Sequence, residues 1–180
     1  MSLDDPDANM PEEVMWQGRF ITAKRKGRWE YVARSRGIRA AVILAVEDGH
    51  VLLVEQYRVP LGRNCIELPA GLIGDDEGVA GESPLAAAGR ELVEETGWRA
   101  ARLEDAGEYY SSPGMVSESF TLVRASGLEQ VGPGGGTDNE NIVPHRVALA
   151  DLNRFLAGKR AQGVAIDVRI LALIGETLLS

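Results

Sequence analysis

Residues Glu82–Trp98 read ESPLAAAGRELVEETGW, and the fold turns on this stretch. Ser83 followed by Pro84 is a helix start, because serine caps free amides and proline suits the first helical position. Gly97 is the matching stop. The alanine-rich run between them predicts a helix over Ser83–Thr96. Its second half carries Arg90, Glu91, Glu94 and Glu95. At about 100° per residue, Glu95 lies roughly 40° to one side of Glu91 and Glu94 roughly 60° to the other. The carboxylates therefore share a face, with Ala87 and Ala88 expected one turn earlier on it. Leu85, Ala86, Gly89, Leu92 and Val93 are expected on the opposite face, where Gly89 allows close approach to a sheet. Arg90 stands one turn before Glu94 and is placed to pair with it.

Glutamate is a good helix former, and neighbouring glutamates are ordinarily a solvated surface. Acid near a helix C-terminus, however, opposes the macrodipole, a cost that a plain surface need not carry. One arginine cannot neutralise all three carboxylates. Oxygen donors gathered in this way suit Mg²⁺ or Mn²⁺.

Working outward, Phe20–Arg34 reads as a hairpin turning at KRKGRW. Ile38–Val46 and Val51–Tyr57 are nearly continuous apolar runs around the turn EDGH, which predicts two strands in the middle of a sheet. VPLGRN reads as a loop, CIELPAGLI as a short strand and GDDEGVAGE as a flexible acidic loop. Ala101–Ser111, Ser119–Ala125 and IVPHRVAL are further strands, with the glycine-rich loop VGPGGGTDNEN ahead of the last. No GK[ST] follows these glycines, so they are not a phosphate-binding P-loop. Leu149–Lys159 and Asp167–Leu179 read as helices, the second capped by Asp167. His50 and His145 read as turn and strand residues. The order predicts an α+β fold, a mixed sheet covered by helices.

The 180 residues, 44% apolar and 26% charged, suffice for one full core. A net charge of −8 argues against nonspecific nucleic-acid binding, and an anionic substrate would need cations or local arginines. No apolar run is long enough to cross a bilayer. The acidic N-terminus lacks the apolar segment of a secretory signal, and residues 1–14 are expected to be disordered. The single cysteine, Cys65, fits a reducing, cytoplasmic setting. It reads as a small buried residue, with a catalytic thiol as the second choice.

The Glu82–Trp98 segment resembles the Nudix box, G-x5-E-x7-R-E-U-x-E-E-x-G-U. Glu82, Arg90, Glu91, Leu92, Glu94, Glu95 and Gly97 match at the required spacing. Gly71 stands farther upstream of Glu82 than the motif places it, which reads as an insertion in the acidic loop. Glu77 would restore the spacing to Gly71 but breaks the spacing to Arg90. Trp98 replaces the usual aliphatic. Beyond the box, WEYVAR, VLLVEQYRVP, ELPAG, SSPGMVSE, TDNENI and GVAIDVRILALI are similar to the ADP-ribose pyrophosphatase branch of the Nudix hydrolases.

The resemblance implies an α/β/α sandwich over residues 38–180. It also implies an N-terminal β-hairpin extension, residues 15–37, that contributes to a homodimer by strand exchange. The implied chemistry is Mg²⁺-dependent (or Mn²⁺-dependent) hydrolysis of a nucleoside diphosphate sugar, with ADP-ribose first and GDP-mannose or UDP-glucose as alternatives. A nucleotide-sugar binding module without turnover is a further alternative. The implied metal ligands are Glu91 and Glu95, then Glu94, the Ala70 carbonyl and Glu140. Arg90 would orient Glu94, and Glu82 would anchor the loop. Asp138 or Glu140 would supply the base, on a loop whose glycines, Gly132 and Gly134–Gly136, would let it close over substrate. Trp29 would stack on the nucleobase across the dimer. Arg34 and Arg58 would contact phosphate or base, with surface ion pairs as the plain alternative. Glu67, Pro113, Gly114 and Glu118 are further substrate-binding candidates.

Overall fold

The protein is described by a computed structural model covering residues 5–35, 37–74, 82–137 and 140–171. Two sheets are formed. The smaller comprises β1 (Glu12–Gln17), β2 (Ile21–Lys26) and β3 (Trp29–Arg34), antiparallel in that order. β1 begins inside the stretch expected to be disordered. Cross-strand pairs account for its order: Lys24 and Tyr31 both donate to Glu12, and Arg25 donates to Glu13. The sheet joins the rest of the chain where the Val32 amide donates to Met115 O and the Ser117 amide to Val32 O, each at 3.0 Å.

The larger sheet is built on β4 (Ala40–Glu47) and β5 (His50–Arg58), antiparallel about the Asp48–Gly49 turn. β6 (Arg63–Glu67) pairs with β5, and β7 (Ala70–Leu72) pairs with β4. The expected single strand CIELPAGLI is thus two. Leu68–Pro69 breaks it, since proline has no amide to continue a ladder, and the Pro69 carbonyl instead accepts the Ile43 amide. β8 (Trp98–Tyr110) and β9 (Ser119–Gln130) form a long antiparallel pair, and β9 runs parallel to β4. β10 (Val143–Ala148) adds to β5, and the short β11 (Ala165–Ile166) runs parallel to β6.

Among the described residues, two helices cover the sheet, α1 (Pro84–Thr96) and α2 (Leu152–Ala161). Strand alternation sends Ala41, Ile43, Ala45 and Leu52 toward α1. Val42, Val51 and Leu53 face α2 with Leu152 and Leu156. The result is the α/β/α sandwich, with β4 and β5 supplying both cores. Of the helix expected over Asp167–Leu179, the described part is a 3₁₀ turn, Val168–Ile170, capped by Asp167. Its remainder, residues 172–180, lies outside the described residues, as does the acidic loop over 75–81 with Glu77.

α1 has the expected bounds: Ser83 accepts the Ala86 amide, and Gly97 closes the helix at φ 76°. Its faces differ from expectation. Ala87 and Ala88 are fully buried in the core with Leu92, whereas Ala86 is exposed. The acidic stripe is therefore not opposite the apolar stripe but borders it. Glu95 lies on the border, turned inward and only 5% exposed. A Leu92→Ala substitution, at the centre of this packing, should cost about 2–5 kcal/mol. Urea unfolding of the variant beside the parent protein measures it.

Candidate active site

A cavity of ≈ 680 Å³ opens between α1, β6, β7 and the 167–169 turn. Glu91, Glu94 and Glu95 line it from the helix, with Arg90 among them. Arg90 Nη1 donates to Glu91 Oε1 at 2.9 Å and to Glu94 Oε2 at 3.2 Å. Its Nε and Nη2 reach Glu82, both at 3.4 Å, and Glu82 also accepts the Gly74 amide. Arg90 therefore joins the helix acids to the incoming loop. Burial alone would lower its pKa, but pairing with Glu82 and Glu91 outweighs that and raises it.

Glu95 reaches the sheet, where its Oε2 accepts the Ala70 amide at 2.9 Å. Gly71 lets the Glu91 side chain lie against β7, since a Cβ there would displace the Glu91 carboxyl. Burial pushes Glu95 up to about 8. The Ala70 hydrogen bond opposes this shift, and the negative charges of Glu91 and Glu140 add to it. Glu91 is also raised, again by burial first, against the pull of Arg90.

The donor set fits a hard divalent cation. It consists of carboxylate oxygens, it carries more negative charge than Arg90 offsets, and burial makes Glu91 and Glu95 resist ionisation. Among the described residues, no three acidic side chains are already gathered into a cation cage. Arg90 takes one oxygen of Glu91 and one of Glu94 and holds both carboxylates beside it.

The glycine-rich loop is clamped onto the helix end in this structure. The amides of Gly135 and Gly136 donate to Glu95 O and Glu94 O, both at 2.9 Å, and those of Val131 and Gly132 to Gly97 O. Two of the last-turn carbonyls of α1, which a helix leaves unpaired, are thereby satisfied. Gly134, at φ 69°, has no room for a side chain, since a Cβ would meet the backbone of Glu95–Gly97. The loop leads to Glu140, which lines the cavity. Glu140 Oε2 accepts the Thr137 amide at 2.8 Å, and Gln56 donates to its carbonyl at 3.4 Å. Asp138 lies outside the described residues.

The cavity's opposite wall carries arginines, each paired with an acid. Arg58 grips buried Glu67 with a two-pronged contact, Nε to Oε1 at 2.6 Å and Nη2 to Oε2 at 2.8 Å. Arg34 pairs with Glu118, and both line the cavity. Trp29, Pro113 and Gly114 are not brought to the carboxylates. They line a separate cavity of ≈ 360 Å³ against the N-terminal sheet, and Trp29 is half-exposed. Asp167 and Arg169, missed as site residues in the sequence, also line the main cavity. Arg169 donates to Glu67, 102 positions away, and no local pattern in AIDVRI signals that contact. His145 is not at this site. It bonds Glu55 at 3.1 Å, behind β5.

The NUDIX domain model matches residues 35–166. The chain belongs to the NUDIX domain family. An uncharacterised Nudix hydrolase of Schizosaccharomyces pombe is 32% identical over 94% of this chain and 86% of the relative. An ADP-ribose pyrophosphatase of Mycobacterium tuberculosis is 42% identical over 71% of this chain, and the match spans 61% of that enzyme, less than two thirds. A crystal structure of an ADP compounds hydrolase superimposes with a TM-score of 0.67 at 25% identity, covering 93% of this chain and 91% of the other.

The raised Glu95 contributes to the pH dependence of the cation-free protein. A carboxyl whose folded pKa lies above its ordinary 4.5 stabilises the fold at low pH and loses that contribution as pH rises through about 8. The melting temperature in excess chelator should therefore decline across that window, and less in Glu95→Gln. An equal decline in both proteins would contradict the assignment.

Proposed function

We propose that this chain hydrolyses the pyrophosphate bond of a nucleoside diphosphate sugar, ADP-ribose first, giving AMP and ribose 5-phosphate. The observation that carries the reading is a single cavity with a partly buried carboxylate set on one wall and arginines on the other. A diphosphate is long enough and charged enough to need both. The match to an ADP-ribose pyrophosphatase supports the choice of substrate.

Glu91 and Glu95, with Glu94, Glu140 and the Ala70 carbonyl, would hold Mg²⁺ or Mn²⁺, which neutralises phosphate oxygens and makes water a better nucleophile at neutral pH. Water adds to a phosphorus, the bridging P–O bond breaks, and a proton passes from the water to a base. Glu140 or Asp138 takes that proton. Glu140 has one oxygen committed to the Thr137 amide and the other left to accept it. Arg90 holds Glu94 and Glu91 in place. Arg58 and Arg34 contact the anionic substrate, and Glu67 and Glu118 fix their orientation.

Trp29 completes the site from a second copy of the chain, through a homodimer built on the N-terminal strands, and Pro113 and Gly114, which share its cavity, are further substrate-binding candidates. Exposed Val14, Met15, Trp16 and Phe20 on that part of the chain support this assembly. A single buried cysteine supports a cytoplasmic setting.

The test is monophosphate release from ADP-ribose, GDP-mannose and UDP-glucose with Mg²⁺. ADP-ribose should be preferred. Preference for another sugar nucleotide would change the substrate, and tight binding without product would make the chain a binding module. Glu95→Gln should fold and lose most turnover. Of Glu140→Gln and Asp138→Asn, the variant lacking the base should lose about 10²–10⁴-fold in kcat. Rate measurements at saturating ADP-ribose decide between them.

A further inference from the structure

Glu67 is one of the most deeply buried acids among the described residues, at 2% exposure. It has two cationic partners. Arg58 takes both its oxygens, and Arg169 Nη2 donates to Oε2 at 3.0 Å. Arg169 is in turn held by Asp167, with Nε to Oδ1 at 2.7 Å and Nη2 to Oδ2 at 2.9 Å. Backbone register fixes this arrangement. Ala165 and Ile166 pair with Cys65 and Ile66, and the Asp167 amide donates to Ile66 O at 2.9 Å.

Both arginines spend the same edge, Nε and Nη2, on these carboxylates. Among the described residues, neither uses Nη1 in a hydrogen bond. Both line the main cavity, and Arg169 also lies 6.0 Å from the Phe120 ring centroid. A guanidinium is planar, so pinning one edge fixes the direction of the remaining donors. The ordering entropy that a free arginine would lose on binding an anion has already been spent in folding.

We propose that Arg169 is a substrate-contacting residue which, with Arg58 across Glu67, forms a rigid paired-guanidinium site for a diphosphate. Naming the ligand as a diphosphate rests on the hydrolase reading above. The carboxylate wall takes the cation that accompanies the diphosphate, and the paired arginines take oxygens that the cation leaves free. Glu67 and Asp167 balance the two arginines in charge, so the wall discriminates by direction of donors rather than by excess positive charge.

The test is calorimetric titration of inorganic pyrophosphate with Mg²⁺ into the parent protein, Arg169→Gln and Arg169→Lys, with melting curves for each. Arg169→Gln should bind about 10–100-fold more weakly, the size of a lost hydrogen bond to a charged group. Arg169→Lys should restore the melting temperature but little of the binding, because lysine keeps the ion pair with Asp167 and lacks the second donor edge. Should Arg169→Gln not fold, the lysine variant alone decides. Parent-like binding by either variant, or no binding by the parent, overturns the proposal. A parent protein that binds pyrophosphate but cleaves no sugar nucleotide would defeat the hydrolase reading and leave the paired site standing.

Discussion

One hydrogen bond holds the site in register with the fold: the Ala70 amide to the Glu95 carboxyl. It ties the last turn of α1 to β7, and β7 is itself laddered to the central strand β4. A carboxyl placed this deeply resists ionisation, which is why burial leads the causes of its raised pKa. The alternative, an apolar residue, would pack the helix more cheaply. Keeping an acid there costs stability, which the Ala70 amide offsets in part.

The same helix end carries a second cost. Glu94 and Glu95 sit beside the negative pole of α1, where acid is unfavourable. The glycine loop answers this by turning four amides, from Val131, Gly132, Gly135 and Gly136, onto the carbonyls of Glu94, Glu95 and Gly97. Those donors neutralise the pole locally. They also fix where the chain emerges, and so where Glu140 stands relative to the helix acids. The turn at Gly134 and the tight stop at Gly97 are two halves of one contact, since a side chain on either would strike the other's backbone.

Much of α1 was legible because its signals are local: a serine cap, a proline, a glycine stop and a fixed spacing of acids. Its orientation was not. Setting acids opposite apolar residues put Ala87 and Ala88 on the wrong side, because a helix wheel shows angles but not the direction of the sheet. The contacts that hold the run of glycines were not legible for a similar reason. Glycine composition reports what the backbone is permitted to do, and the waiting carbonyls that restrict it lie some forty residues earlier in the chain. β1 was hidden because its order depends on partners in β2 and β3 rather than on its own pattern.

The arginine wall was the least legible part, and charge accounting explains it. EQYR and ELPAG each suggested a contact for an outside ligand, yet Arg58 and Glu67 contact one another. Two motif residues that pair internally are not thereby removed from function. A buried acid gripping a guanidinium by one edge leaves the other edge aimed, and a second arginine on the same acid keeps it neutralised. The position of that second arginine follows from β11 docking beside β6, a contact between segments far apart in the chain. Local patterns show which residue types are present. Which edge of a side chain remains free is decided only when distant strands meet.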